Sequence, residues 1–540
     1  MKFSTRDIGR KGVSVILGPP GTGKTTTLMR QLASALDQGI PIEDIGFTSY
    51  TRAAIHEAKD RAQAKFGLND EGFLRWGTTH SLAGRLLGQR GKQMWKPEDL
   101  AITARFAEKY YYPDLLQRRL PWDRSQTAMA YLLGEINFAR CRLLDAEAEA
   151  QRAGKRIGVD GGKFYRSWGA FKHAESICDF TDLIEQAIEL PPPRTRLLFV
   201  DEAQDLNPLQ ARFVERWIER ADLTYVAGDD DQAIMGFQGG EAGWLQGLAR
   251  SHPTRVLDQS YRIPASVHAL AMTVAGRITD RVEKVFRPRP EEGTLEHAEM
   301  SSEVLDELIE QLEHGSVGYL CRLSADLVDV GKELLRLGIP YRCKDAADPL
   351  GPQNTKTLPA AQAVRRMATG YALTAVELDA ILDAVKVKEL GLRHGCKSAW
   401  QNATNRPSTL TEDSAPVDLR PLWRLARERG CGMLATGYGG YYDQVLSEDG
   451  QLPDKHVQLS TIHSSKGREW DSVYLHRALS LFDQQSLDRP RTRDADDVHR
   501  LAYVGATRAR HSLTVLSPGV FGRHARGGKP ISVYDYGRAA

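Results

Sequence analysis

Short apolar runs that stop at a glycine or an acid punctuate the first half of the chain. Val13-Ser-Val-Ile-Leu17 ends at Gly18, Leu197-Leu-Phe-Val200 at Asp201, and Leu223-Thr-Tyr-Val-Ala227 at Gly228. Nearly continuous runs of this length suit strands buried on both faces of a parallel sheet. Residues 25–36 carry a helical pattern directly after the first run. Strands alternating with helices predict an α/β core. Ligands of such sheets sit at the carboxyl ends of the strands, which is where each run meets a polar motif. Strand character returns at 457–459, 473–475 and 513–516, and a second α/β region is expected from about residue 254, with element ends near 315–320 and 335–341.

Two stretches break this pattern. Residues 89–178 are rich in aromatics and charge (Trp95, Tyr110 to Tyr112, Trp122) and look helical; Pro191-Pro-Pro193 then forms a stiff connector. Residues 346–452 are less regular, with Pro, Gly, Asn and Thr clusters near 350–358 and 401–416. The expected layout is a first core in 1–88 and 179–253 with residues 89–178 inserted. A second core in 254–345 and 453–540 carries the shorter insertion 346–452. A chain of 540 residues has room for it.

Composition narrows the class. The net charge is only +2, so nucleic acid would have to be met by a local basic groove. Six cysteines are scattered without a C-x-x-C pair, which argues against a zinc site or a disulfide framework and fits a reducing compartment. The N-terminal stretch carries Lys2, Arg6, Asp7, Arg10 and Lys11, and the apolar run 13–17 is too short for a signal peptide or a membrane span. A cytoplasmic protein is expected, without membrane contact.

The chemistry starts at Gly18-Pro19-Pro20-Gly21-Thr22-Gly23-Lys24-Thr25, which fits G-x-x-x-x-G-K-[ST] between a strand and a helix. Its backbone N–H groups, with the helix N-terminus, would wrap phosphates. Lys24 would reach the β- and γ-phosphates of ATP, and the Thr25 hydroxyl would bind Mg²⁺. Asp201 and Glu202 follow a buried strand; Asp201 suits the metal side and Glu202 a base that polarises the attacking water. Gly228-Asp-Asp-Asp-Gln232 ends the third run. Three adjacent acids repel one another and need a cation or basic partners close by. Gln232 can donate and accept, which suits a γ-phosphate sensor or a water-orienting group.

Taken in order, the motifs resemble a superfamily 1 helicase of the UvrD/Rep type. The series is the phosphate loop; Ser49-Tyr-Thr-Arg-Ala-Ala54; Thr78-Thr-His80-Ser81; Asp179-Phe-Thr-Asp182; Asp201 to Asp205; Gly228 to Gln232; Gln259-Ser-Tyr261-Arg262; Thr461-Ile-His463-Ser-Ser-Lys-Gly467-Arg-Glu469; and Tyr503 to Arg510. The resemblance implies two RecA-like P-loop cores, each with an inserted, mostly helical subdomain. It implies an ATP-dependent DNA helicase or translocase moving 3′ to 5′ on single-stranded DNA, with ATP between the cores. It gives Arg262 and Arg508 the role of arginines that meet the γ-phosphate from the second core, a task suited to a planar fork that stays charged. Tyr261 would stack on adenine, Glu469 would lie near the ribose, and Thr26 and Gly467 would line the nucleotide site. Tyr50, Arg52, Thr79, His80, Phe237 and His463 would face the strand, with Lys466 in support, since aromatic faces stack bases without reading sequence. The partners implied are single-stranded DNA and duplex junctions, with a nuclease or a replication or repair factor as the expected protein partner.

The sequence departs from this family in three places. No glutamine occurs in residues 1–30 to read adenine, Thr26 stands where an arginine is usual, and Met235, Phe237 and Gln238 replace a tyrosine, tryptophan and arginine. Looser nucleotide selectivity and a reduced base platform are expected. No nuclease block is expected in the 30 or so residues after Arg510. The alternative reading is an NTPase subunit that gates a partner nuclease or defence complex without processive unwinding.

Overall fold

The computed structural model describes residues 12–67, 70–88, 93–96, 99–121, 126–343, 357–435, 439–489 and 492–517. Trp122, the charged N-terminal residues and most of the 350–358 cluster lie outside them. The chain forms two units: residues 1–262 with 278–289, and residues 263–277 with 290–540.

The first unit is built on six strands, β1 (Gly12–Leu17), β2 (Ile45–Ser49), β3 (Trp76–Thr78), β6 (Thr195–Asp201), β7 (Ala221–Gly228) and β8 (Thr254–Val256), while β4 (Gln93–Met94) and β5 (Ile177–Cys178) form a small separate pair. The sheet is parallel throughout, in the order β3-β2-β6-β7-β1-β8. Successive side chains of a strand point to opposite faces, and both faces are covered. Ile16, Leu197 and Phe199 pack with Leu28, Leu32 and Trp76 on one side; Val15, Leu17, Leu198 and Val200 pack with Leu82, Phe213 and Trp217 on the other. Because β8 pairs with β1, the first unit continues past residue 254 to Arg262.

Among the described residues, those between β4 and β5 supply five helices, among them Leu100–Lys109, Ala128–Cys141 and Gly161–Ala174. Their core is aromatic: Trp95, Phe106, Phe164, Trp168 and Phe171 meet at ring-centroid distances of 5.0–5.7 Å.

The second unit holds β9 (Thr294–Glu299), β10 (Val317–Cys321), β11 (Tyr341–Cys343), β14 (Val457–Thr461), β15 (Trp470–His476) and β16 (Ala509–Ser517), again all parallel, in the order β11-β14-β10-β15-β16-β9. A minor antiparallel pair joins β12 (Leu373–Thr374) and β13 (Thr409–Leu410). The stretch that looks irregular in sequence contains the helices Thr357–Ala368, Ala375–Ala384, Cys396–Gln401, Pro421–Arg429 and Gly439–Val445. They share one core with β10, β11 and β14 through Val364, Trp423 and Tyr442. Among the described residues no helix is long and apolar enough to cross a membrane.

A buried charge network ties the helical insertion to the first sheet. Arg140 and Lys172, on two helices of the insertion, converge on Asp179 and Asp182 at the start of the helix Phe180–Ile188, with contacts of 2.5–3.0 Å. Burial alone would raise the Asp179 carboxyl, but Arg140 and Lys172 hold it down at about 2. A folded-state value below the ordinary 3.8 means stability that is complete above about pH 4 and lost as pH falls toward 2.

Removing one member of such a pair strands buried charge, so Arg140→Met is expected to cost the first unit about 3–5 kcal/mol at neutral pH. Thermal unfolding followed by circular dichroism checks it, and an unchanged first transition would contradict the network's role. Acidification from pH 4 to 2 should lower that transition more in the parent protein than in Asp179→Asn.

Candidate active site

The phosphate loop is shaped by its own backbone. Gly21 and Gly23 take positive φ angles of 74° and 81°, which side-chain-bearing residues rarely adopt. Gly18 N donates to Gly228 O at 3.0 Å, which joins the loop to the end of β7. The Thr22 hydroxyl donates to Pro19 O at 2.8 Å, and the Lys24 ammonium reaches back to Gly18 O at 2.6 Å. The helix Lys24–Asp37 starts at the loop without a side-chain cap, so its first N–H groups and dipole face the loop. Thr26 is exposed, on the solvent side of that helix.

Asp201 ends β6 beneath this loop and is 2% exposed. Its Oδ2 accepts from the Thr25 hydroxyl at 3.0 Å. Burial, reinforced by Glu202, pushes the Asp201 carboxyl up to about 7 despite Lys24 and Thr25. A hydroxyl and a buried carboxylate side by side are hard oxygen donors, and the raised pKa marks a charge short of a cation. Both fit Mg²⁺, which takes few protein ligands beside phosphate oxygens. Glu202 adopts the left-handed region at φ 53° and ψ 42°. Strain of that kind costs about 1–3 kcal/mol and gathers at functional sites.

Gln204, fully buried, was given no role by the sequence beyond membership of its block. Its amide nitrogen donates to Glu202, and its carbonyl oxygen accepts from Asp229 N at 3.0 Å. It therefore joins the β6 acids to the motif that follows β7. There Asp229, Asp230 and Asp231 are all buried, and Gln232 donates from Nε2 to Asp229 Oδ2 at 2.8 Å. The cation that the acid triplet requires is supplied by Lys284 and Arg281. Sequence reading states the need but cannot locate partners about 50 positions away.

Arg262, expected on the second core, belongs instead to the first unit, because β8 pairs with β1 and the 260–262 turn bonds to the loop. The Ser260 hydroxyl donates to Pro20 O and Tyr261 N to Gly21 O, both at 2.9 Å. A Cβ on Gly21 would lie 2.4 Å from Arg262 Cβ. The Tyr261 ring is 76% exposed beside the loop.

Arg508 belongs to the second unit and is almost wholly buried there. Its guanidinium donates to Val504 O at 2.9 Å, Arg468 O at 3.3 Å and Thr507 Oγ1 at 3.2 Å. Glu469 is paired with Arg510, at 2.8 Å from Arg510 Nε, and Gly467 takes a φ of 80° near His463 and Lys466.

The residues expected to face nucleic acid have mixed settings. Phe237 is 62% exposed, and Arg52 is exposed too. The Tyr50 hydroxyl donates to Gln238, the residue that replaces a cation; burial and Asp205 push that hydroxyl upward. Burial, then Arg52, lowers the His80 imidazole to about 4, and its ring lies edge-on to Phe180 at 5.4 Å. Thr79 is buried in the first turn of its helix.

A parallel α/β unit whose phosphate loop faces a strand-end carboxylate through a threonine is a P-loop nucleoside triphosphatase. Residues 6–253 match the UvrD/REP helicase N-terminal domain, and residues 444–517 match the UvrD-like helicase C-terminal domain. The chain is 26% identical to the ATP-dependent DNA helicase UvrD2 of Mycobacterium tuberculosis, covering 96% of this chain and 78% of the relative. It is 23% identical to DNA helicase II of Salmonella typhimurium, covering 93% and 82% respectively. The chain belongs to the UvrD/Rep-like helicases of superfamily 1 and is an ATP-hydrolysing enzyme of that class.

A methyl group at Gly21 would meet the 260–262 turn and force a strained φ. Gly21→Ala is expected to weaken nucleotide binding by about 1–3 kcal/mol, roughly 5- to 150-fold. Fluorescent ATP-analogue titration measures it, with Gly169→Ala, where a Cβ meets open space, as a neutral control. Equal affinities in all three proteins would contradict the described loop geometry.

Proposed function

We propose that this ATP-dependent DNA helicase tracks along single-stranded DNA from 3′ to 5′ and separates strands by turning over ATP at the phosphate loop. The observation that carries the reading is the 3.0 Å contact of Thr25 with a buried Asp201 directly beneath that loop. Thr25 and Asp201 would hold Mg²⁺, which supplies positive charge to the β- and γ-phosphate oxygens when bound. Lys24 binds the same oxygens. Glu202, aimed by its strained backbone and by Gln204, accepts the proton of the attacking water. Gln232 orients that water or senses the γ-phosphate. Arg262 and Arg508 stabilise the charge that grows on the transferred phosphoryl group.

On the nucleotide's other side, Tyr261 stacks on the base and Glu469, held by Arg510, meets the ribose, with Gly467 allowing the close turn. Single-stranded DNA is bound by stacking and backbone contacts from Tyr50, Arg52, Thr79, His80, Phe237 and His463, supported by Lys466. A His80 imidazole held near pKa 4 is neutral at physiological pH, which suits packing against a base rather than pairing with phosphate. The comparisons lend nothing to the gating alternative.

Two measurements test the proposal. On duplexes with a single-stranded tail, unwinding is expected with 3′ tails and not with 5′ tails; the reverse preference would contradict the polarity. Arg508→Ala should lower turnover by about 10³-fold or more while ATP affinity stays within about threefold, as for loss of an arginine finger. Equal loss of binding and turnover would remove Arg508 from the transition state.

A further inference from the structure

The triplet Asp229, Asp230 and Asp231 brings three carboxylate oxygens within 4.8 Å of one another, a spacing that could hold a metal ion. An internal ammonium takes that place. Lys284 Nζ lies 3.2 Å from Asp229, 2.5 Å from Asp230 and 2.8 Å from Asp231, and its side chain is 1% exposed. Around it the acids are divided among separate donors. Arg281 grips Asp231 with two bonds of 2.9 and 2.5 Å. Asp230 Oδ2 accepts from Val282 N at 2.6 Å and from Gln246 at 3.3 Å. Asp229 joins the cluster to Gln232: one oxygen lies toward Lys284, and the other accepts from the Gln232 amide at 2.8 Å.

We infer that Lys284 is a positioning residue for the γ-phosphate glutamine, fixing the Gln232 carboxamide through Asp229. The inference rests on the role proposed above for Gln232. A carboxylate with no solvent exposure needs a cation to remain a fixed anion. Asp229 with Lys284 in place is a rigid acceptor that consumes one Gln232 N–H. The carboxamide is thereby held in one orientation. Without Lys284 the three buried acids repel one another, Asp229 turns away, and the carboxamide loses its anchor although every group that touches nucleotide is intact.

Lys284 also sits at a telling point in the chain. Residues 263–277 belong to the second unit, residues 278–289 rejoin the first, and residue 290 leaves it again. The returning segment is fastened to the first unit at the triplet by Arg281, Val282 and Lys284. The glutamine that reads the γ-phosphate is thus held by the stretch of chain that runs between units.

The test is a kinetic cycle on the full chain. Lys284→Met is expected to lower kcat about 10- to 100-fold, as loss of an outer partner of a site group does, with the ATP KM changed less than about threefold. In a Gln232→Ala background the same substitution should add less than about threefold. If the two losses multiply in full, Lys284 does not act through Gln232 and the inference falls. If Gln232→Ala alone leaves kcat unchanged, the role of Gln232 falls and the inference falls with it, which separates the two failures. Because Lys284→Met strands buried charge, the paired variant Asp230→Asn/Lys284→Met keeps the net charge of the cluster and guards against misfolding. It should keep parental melting and a low kcat; full restoration of kcat would show that Lys284 merely neutralises the triplet.

Discussion

Carboxylates taken out of water at the ends of parallel strands are the constraint on which the first unit turns. A buried carboxylate without a cation is among the costliest groups a protein can hold. Among the described residues the unit carries them at Asp179 with Asp182, at Asp201 with nearby Asp205, and at the triplet Asp229 to Asp231. Arg140 and Lys172 serve the first set, and Lys284 with Arg281 the third. Asp201 is treated differently. It has a threonine hydroxyl, a neighbouring acid and a displaced carboxyl pKa, but no ion pair among the described residues. Lysine and arginine thus serve Asp179, Asp182 and the triplet, while Asp201, under the phosphate loop, is the acid proposed to meet an incoming cation.

That allocation links the fold to its chemistry. Two of the sets sit where a segment distant in sequence must be fastened: the helical insertion at Asp179 and Asp182, the returning stretch 278–289 at the triplet. Gln204 bridges β6 and β7, so Glu202 and Gln232 belong to one hydrogen-bonded chain that runs through Asp229.

How much of this is legible in the sequence follows from distance along the chain. The phosphate loop can be read because its ligands are consecutive and its flanking strand and helix are local. Asp201 and the triplet can be read because each follows an apolar run, the mark of a buried strand end. The identity of the UvrD/Rep-like family can be read from motif order. The partners of those motifs cannot: Lys284 and Arg281 lie more than 45 positions from the acids they serve, and nothing in their surroundings distinguishes them from surface cations. Thr79 resembles a contact residue, yet its burial in a helix N-terminal turn appears only once the helix packs. Residues 357–445 look irregular because their helices are short and Gly- or Pro-bounded; it is a core shared with the second sheet that orders them.

The account stands on which acid receives the catalytic cation. Crystals grown with Mn²⁺, ADP and aluminium fluoride would locate it directly through anomalous scattering. The account predicts a manganese peak beside Thr25 Oγ1 and Asp201, with the triplet still closed around Lys284. A peak among Asp229, Asp230 and Asp231, with Lys284 displaced, would contradict it.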